Sequence, residues 1–207
     1  MTQESRQIAK AAGWIGLATF ASRIMGFVRD MILARLFGAG MVADAFFVAY
    51  RIPNMLRELF AEGSMSAAFI PVFTETLTQR TKEEARELAS AVFTVLLTTV
   101  TMICVLSIAA APWIVQVIAP GFGDEPGKFD LTVMLSRFMF PYLLFISLAA
   151  LTMGMLNSLR AFAVPAFSPV MFNVCIIAAA LGLSPYLTEP IFGVAIGVVA
   201  GGAVQFF

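Results

Sequence analysis

The sequence is short of the residues on which most enzyme chemistry depends. It contains no histidine, which excludes histidine-based catalysis and histidine-ligated metal sites. Its two cysteines, Cys104 and Cys175, lie in apolar runs without a neighbouring base, and we predict buried, unreactive thiols. No Walker A motif, GxGxxG after a strand, HExxH or GxSxG is present. We therefore predict no catalytic site, no metal and no cofactor.

Charge is also scarce, and it is balanced. Charged residues make up 13% of the 207 residues, against about 25% in an average soluble domain, whereas 60% are apolar. This composition excludes both an ordinary soluble domain and a disordered chain. The 13 Lys and Arg equal the 13 Asp and Glu, so net charge does not point to nucleic acid as a partner.

Long runs without any charge are what the sequence has instead. The run at 88–123 is 36 residues long, and three runs of 22, 28 and 18 residues follow it. A helix needs about 20 mostly apolar residues to cross a hydrocarbon layer of roughly 30 Å. We predict an all-α, polytopic helical membrane bundle with six transmembrane segments. Their expected bounds are about 11–36, 44–77, 88–118, 132–157, 163–183 and 190–207.

The distribution of cations orients this bundle. With a cytoplasmic N-terminus, the inner segments hold six cations and the outer segments hold only Lys128, as the positive-inside rule requires. The six are Arg6, Lys10, Arg80, Lys82, Arg86 and Arg160. The N-terminal segment and the loop 79–87 then share a side, so 44–77 crosses once, with Pro53 as a natural bend. The last apolar segment reaches Phe207 without a charged stop, and we expect a longer protein.

Local signals mark where some of these helices begin and how they pack. Thr81 followed by Glu84 predicts a capping box at the start of the third segment. Asp44, just after the Gly-Ala-Gly turn at 38–40, is expected to cap the second helix. Two GxxxG-like spacings are weak packing signals. Arg137 either anchors the start of its segment or points inward.

Several ionisable residues stand where membrane helices rarely have them. An arginine at mid-span costs roughly 2.5–3.5 kcal/mol on insertion scales, so it lines a polar cavity or pairs across helices. For Arg23, Arg29 and Arg57 we favour a substrate cavity over internal ion pairs, because a guanidinium presents five donors in a planar fork suited to phosphate. The carboxylates nearby are expected to balance or orient these arginines; they are Asp30, Glu58 and Glu62.

An ordered series of short motifs accompanies these charges. The first part reads SRIMGFVRD (22–30), FGAG (37–40), DAFFVA (44–49), RIPN (51–54), LR (56–57), FAEG (60–63) and AFIP (68–71). The second part reads APW (111–113), APGF (119–122), FPY (140–142) and PAFSP (165–169). This series resembles the MurJ/MviN family of lipid II flippases, within the superfamily of multidrug, oligosaccharidyl-lipid and polysaccharide exporters.

The resemblance implies a fold and a function. The family fold is two pseudo-symmetric six-helix lobes followed by two helices, and this chain is similar to the N-terminal lobe, with the C-terminal lobe absent. The implied function is to move lipid II, an undecaprenyl-diphosphate-linked peptidoglycan precursor, from the cytoplasmic to the periplasmic leaflet of the bacterial inner membrane by alternating access. The implied partners are lipid II, membrane lipids and the C-terminal lobe, without which this fragment is expected to be inactive.

The resemblance also assigns residues. Arg23, Arg29 and Arg57 match arginines that bind the diphosphate. Four other polar positions match residues with a supporting or gating role; they are Asp30, Asp44, Asn54 and Glu62. The alternative is a cation-coupled exporter of drugs or other solutes on the same fold, with one of the carboxylates as the ion or proton site. A third hypothesis is a membrane scaffold without transport activity.

Overall fold

The protein is described by a computed structural model that covers residues 3–58, 65–159, 161 and 163–207, with side chains at 13, 16–58, 68–159, 161 and 165–207. Within these ranges every regular element is helical, which confirms the predicted all-α class. The helices are α1 (Gln3–Phe37), α2 (Met41–Arg57), α3 (Met65–Gln79), α4 (Lys82–Ile118), α5 (Lys128–Ser158), α6 (Ala163–Gly182) and α7 (Ile191–Phe206). Short 3-10 turns occupy Pro120–Asp124 and Ser184–Tyr186.

The membrane-crossing character is strongest in the middle of the chain. Among the described residues, three helices are long and apolar enough to cross a membrane, namely α4, α5 and the helical stretch Pro165–Tyr186, while α7 is apolar but shorter. The expected segment 44–77 contains two helices, α2 and α3. The second helix continues through Pro53 as far as Arg57. The count of six crossings stays a prediction.

Two of the predicted helix starts have different outcomes. Thr81 caps α4, with its side chain accepting a hydrogen bond of 3.2 Å from the backbone N–H of Glu84, so the predicted cap is confirmed. The predicted Asp44 cap is wrong. Gly40 is the N-cap of α2, because the left-handed turn at Gly38 (φ 65°) lets the helix begin earlier, and Asp44 lies inside its first turn.

The helix α5 lies at the centre of the bundle. It packs against α2, α4 and α7, while α6 packs against α1 and α7. The largest core cluster joins α2, α5, α6 and α7; its members include Phe46, Leu135, Met139, Ile176 and Val194. The helices α1 and α2 make few contacts with each other. The two helices that carry the predicted arginines are therefore held by different neighbours.

Glycines bring α6 and α7 into close contact. Gly193, Gly197 and Gly201 recur every four residues on α7, and a Cβ at Gly197 would lie 2.8 Å from the Cα of Ile176. Helices in lipid gain little from apolar burial, so close packing of small residues is what stabilises their contact. The GxxxG-like spacings, which the sequence alone presents as weak signals, thus determine a main contact of the bundle.

The two cysteines fit this packing in different ways. Cys104 is buried, as predicted, and its thiol lies 3.3 Å from the carbonyl oxygen of Phe140. Cys175 is only half-buried, which corrects the prediction of two buried thiols. Both are free cysteines.

Candidate functional site

Arg29 is the most fully defined of the predicted site residues. Its side chain is 23% exposed on α1. Nε and Nη2 donate to Oδ1 of Asp30 at 2.9 and 2.8 Å, and Nη1 donates to Oδ1 of Asn173 at 2.9 Å. A guanidinium has five N–H donors. Two donors of Arg29 therefore have no partner among the described residues.

Asn173 on α6 fixes the position of Arg29. The residue is buried, and its Nδ2 donates to the carbonyl oxygens of Pro169 at 3.0 Å and Ser22 at 3.4 Å. Since two acceptors surround the amide nitrogen, the hydrogen-bond network places the amide oxygen toward the guanidinium. Sequence reasoning missed this residue. The available signal was an asparagine inside a 28-residue run without charge, where a polar side chain needs an internal partner.

A cavity of about 200 Å³ lies beside Arg29. Helices α1, α2, α6 and α7 all contribute to its wall; the lining residues are Arg29, Asp30, Leu33, Phe46, Phe47, Tyr50, Ile176 and Val198. Pockets for drug-sized ligands run from about 300 to 1,000 Å³. This cavity is therefore large enough for a small group of a ligand but not for a whole large headgroup.

Tyr50 on α2 also lines this cavity, and its ring stacks on Phe46 with 6.1 Å between centroids. Arg57 is half-buried near the end of α2, and its Nε donates to Oδ1 of Asn54 at 3.0 Å. Arg57 thus lies about two helical turns after Tyr50 on α2, and it contacts Asn54.

Arg23 occupies a more open position. It is exposed on α1, six residues and about 9 Å before Arg29. Within the described part of the chain it makes neither a hydrogen bond nor an ion pair, so its charge is uncompensated there. Glu62, the remaining predicted supporting residue, lies outside the described residues.

Asp44 belongs to a separate ion cluster at the start of α5. Nζ of Lys128 donates to Oδ2 of Asp44 at 2.9 Å and to Oε1 of Glu125 at 3.0 Å, and it lies 4.3 Å from the centroid of the Phe122 ring. The Lys128 side chain is only 6% exposed. The sequence presents Lys128 merely as the one outer cation. The structure shows that it joins the start of α2 to the start of α5.

A second cavity relates this cluster to the arginine site. It has a volume of about 260 Å³ and lies between α1 and α2. Asp30 and Asp44 both line it, and the rest of its wall is largely apolar. The predicted carboxylates therefore face one cleft, although each is paired with a different cation.

Known proteins match this chain closely. A family model described as Lipid II flippase MurJ matches residues 33–207. The lipid II flippase MurJ of Burkholderia cenocepacia is 43% identical over 188 residues, which cover 91% of this chain and 36% of that protein. The probable lipid II flippase MurJ of Vibrio cholerae is 44% identical over 211 residues, which cover 98% of this chain and 40% of that protein.

A solved structure is similar as well. It is described as lipid II flippase MurJ in an inward closed conformation and matches with a TM-score of 0.71 at 31% identity. The match covers 91% of this chain and 40% of that one. The chain thus spans about two fifths of the length of the relatives it matches.

Proposed function

Because the chain belongs to the MurJ family of lipid II flippases, we propose that it forms the N-terminal lobe of a transporter that moves lipid II from the cytoplasmic to the periplasmic leaflet. It does so in the bacterial inner membrane, with its N-terminus in the cytoplasm. A C-terminal lobe elsewhere in the protein supplies the opposite wall of the central site. Transport then follows alternating access, in which the two lobes rock about that site.

The incomplete pairing of Arg29 is the observation that carries this proposal. Two of its N–H donors lack a partner among the described residues, and it lines a small cavity together with Tyr50 of α2, the helix that also carries Arg57. A diphosphate brings about two negative charges, and hydrogen bonds between a guanidinium and phosphate oxygens are among the strong ones in proteins. Arg23, Arg29 and Arg57 together bind the diphosphate of lipid II.

The surrounding polar residues have supporting roles in this proposal. Asp30 and Asn173 orient Arg29, and Asn54 orients Arg57, since each contacts its arginine directly. Asp44 acts at the gate through its ion pair with Lys128, which fixes the start of α2 to α5. Glu62 is assigned a supporting role from its motif alone.

The cation-coupled exporter is less well supported. Its ion or proton site would need a carboxylate that no protein cation already neutralises. Asp30 is paired with Arg29, and Asp44 is paired with Lys128. Neither of these carboxylates offers the free charge that such a site requires, and Glu62, the third candidate, lies outside the described residues.

Lipid II binding by the full-length protein, reconstituted in nanodiscs, tests the proposal. Arg29→Gln keeps hydrogen-bond donors but removes the charge, and we expect binding to weaken about 10- to 100-fold, since a hydrogen bond to a charged group contributes about 1.5–3 kcal/mol. Arg80→Gln is the matched control, because Arg80 is exposed and pairs with Glu84 near the start of α4. Unchanged lipid II binding by both Arg29→Gln and Arg57→Gln would overturn the proposal.

A further inference from the structure

The second cavity, between α1 and α2, adjoins the cavity beside Arg29. The two cavities share part of their walls, which is formed by Asp30, Leu33, Phe46 and Phe47. A group bonded to a diphosphate at Arg29 can therefore reach the second cavity. In lipid II, one side of the diphosphate carries the polyprenyl chain and the other side carries a sugar. The walls of the second cavity discriminate between these two groups.

Two carboxylates disfavour a hydrocarbon chain in the second cavity. Asp30 and Asp44 both line it, and each side chain is more than half exposed. Arg29 donates only to Oδ1 of Asp30, and Lys128 donates only to Oδ2 of Asp44. The second oxygen of each carboxylate has no donor among the described residues. A hydrocarbon chain would remove these oxygens from water without a hydrogen bond, whereas the hydroxyl and amide groups of a sugar donate to them.

An aromatic side chain in the same cavity is suited to the C–H face of a sugar ring. Phe47 is 50% exposed, and it lies three residues after Asp44, so the two stand on the same face of α2. Ligand sites combine apolar and aromatic walls with a few polar groups that fix the orientation of the ligand. The volume of about 260 Å³ is below the range of about 300–1,000 Å³ for drug-sized ligands, which limits the cavity to a small part of a large headgroup.

We propose that the second cavity binds the sugar attached to the diphosphate of lipid II. Phe47 packs against the ring, and the second oxygens of Asp30 and Asp44 accept hydrogen bonds from its hydroxyl and amide groups. The inference rests on the proposed function, because Arg29 must hold the diphosphate for the sugar to reach this cavity. The cavity then determines specificity, since it favours a glycosylated diphosphate over a bare one.

Equilibrium binding to the full-length protein in nanodiscs tests this site with two probes. One is undecaprenyl diphosphate, and the other is the same lipid with one N-acetylglucosamine on the diphosphate. We expect the wild type to bind the glycosylated probe about three- to tenfold more tightly, and Phe47→Leu to lose most of this preference. Phe138→Leu is the matched control, which should keep the preference. Phe138 is exposed and lines neither cavity, and its ring contacts Phe192 edge-on at 5.8 Å, as Phe47 contacts Phe46.

Filling the second cavity gives an independent variant. Ala34 lines the second cavity but not the cavity beside Arg29. We expect Ala34→Phe to bind the glycosylated probe about tenfold more weakly and to bind the bare diphosphate as the wild type does, because the added ring occupies the space of the sugar. Thermal unfolding checks that each variant is folded.

Two results would overturn the inference. The first is equal affinity of the wild type for the two probes. The second is a preference for the glycosylated probe that persists in both Phe47→Leu and Ala34→Phe. Failure of the proposed function gives a different result, since the bare diphosphate would then bind equally well to the wild type and to Arg29→Gln.

Discussion

Two regions of the bundle are held together in different ways. We call the region of α5, α6 and α7 the rear and the region of α1 and α2 the front. At the rear, α5, α6 and α7 pack through small residues, with Gly197 against the backbone of Ile176. At the front, α1 packs on α6 and α2 packs on α5, and polar side chains add links across these contacts, among them Arg29 to Asn173 and Asp44 to Lys128. Close backbone packing of glycines distinguishes the rear, whereas the front contains charged side chains, of which Arg29 keeps two donors without a partner among the described residues.

The small number of contacts between α1 and α2 bears on how these two helices can move relative to each other. The helix α1 is mounted on α6 and α2 is mounted on α5, while the two make few contacts with each other. A small shift of one helix relative to the other would change the distance between Arg29 and Arg57. Such sliding of packed elements is a common form of conformational change in transporters and other proteins.

Adding a methyl group at the rear contact gives the largest expected loss of stability. Gly197→Ala places a Cβ 2.8 Å from the Cα of Ile176, which cannot move aside as a side-chain tip would. We expect a loss of about 1–3 kcal/mol of folding stability, measured by thermal unfolding in detergent. Gly182→Ala is the control, since nothing lies within 4 Å of its Cβ. Equal melting of the two variants would contradict the assignment of stability to the rear.

Removing the amide at the front gives a smaller loss of stability and a clearer loss of binding. Asn173→Leu deprives Arg29 of its Nη1 partner, and we expect about 1 kcal/mol of destabilisation together with a several-fold loss of lipid II affinity. Asn157→Leu, at an exposed position near the end of α5, serves as control. If Asn173→Leu lowers the melting temperature but leaves affinity unchanged, Asn173 is only a packing residue.

Weakening the ion cluster of Asp44, Glu125 and Lys128 at the start of α5 gives the smallest expected effect on stability. Asp44→Asn removes one carboxylate charge from Lys128, but Glu125 and the Phe122 ring remain. We expect the melting temperature to fall by at most a few degrees. We also expect a cysteine introduced at the start of α2 to be labelled faster in the full-length protein that carries Asp44→Asn. Asp124→Asn, exposed and unpaired among the described residues, should leave labelling unchanged. Unaltered labelling in Asp44→Asn would remove the basis for a gating role.

The sequence was most informative where charged residues stand inside apolar segments. Charges inside apolar segments led to the prediction of Arg23, Arg29 and Arg57 as site residues, which stays a prediction, and the motif order identified the family. The pairing partners could not be read in the same way. Asn173 lies 144 positions from Arg29, and Lys128 lies 84 positions from Asp44, so only the packing of α6 and α5 brings them together.

Two local predictions were misled by backbone effects. The Asp44 side chain is a good capping group, but the turn at Gly38 allowed α2 to begin earlier and left Asp44 to pair with Lys128. The glycine spacing on α7 gave no sign of its importance, because a GxxxG pattern matters only when another helix backbone lies against it. The helix α6 supplies that backbone.

The central claim is that the guanidinium groups of Arg29 and Arg57 receive a diphosphate. Its most direct test is equilibrium binding of undecaprenyl diphosphate and undecaprenyl monophosphate to the full-length protein and to its Arg29→Gln and Arg57→Gln variants. The account predicts that the wild type prefers the diphosphate and that each variant loses this preference while still binding the monophosphate. A preference for the diphosphate that persists undiminished in both variants would contradict it.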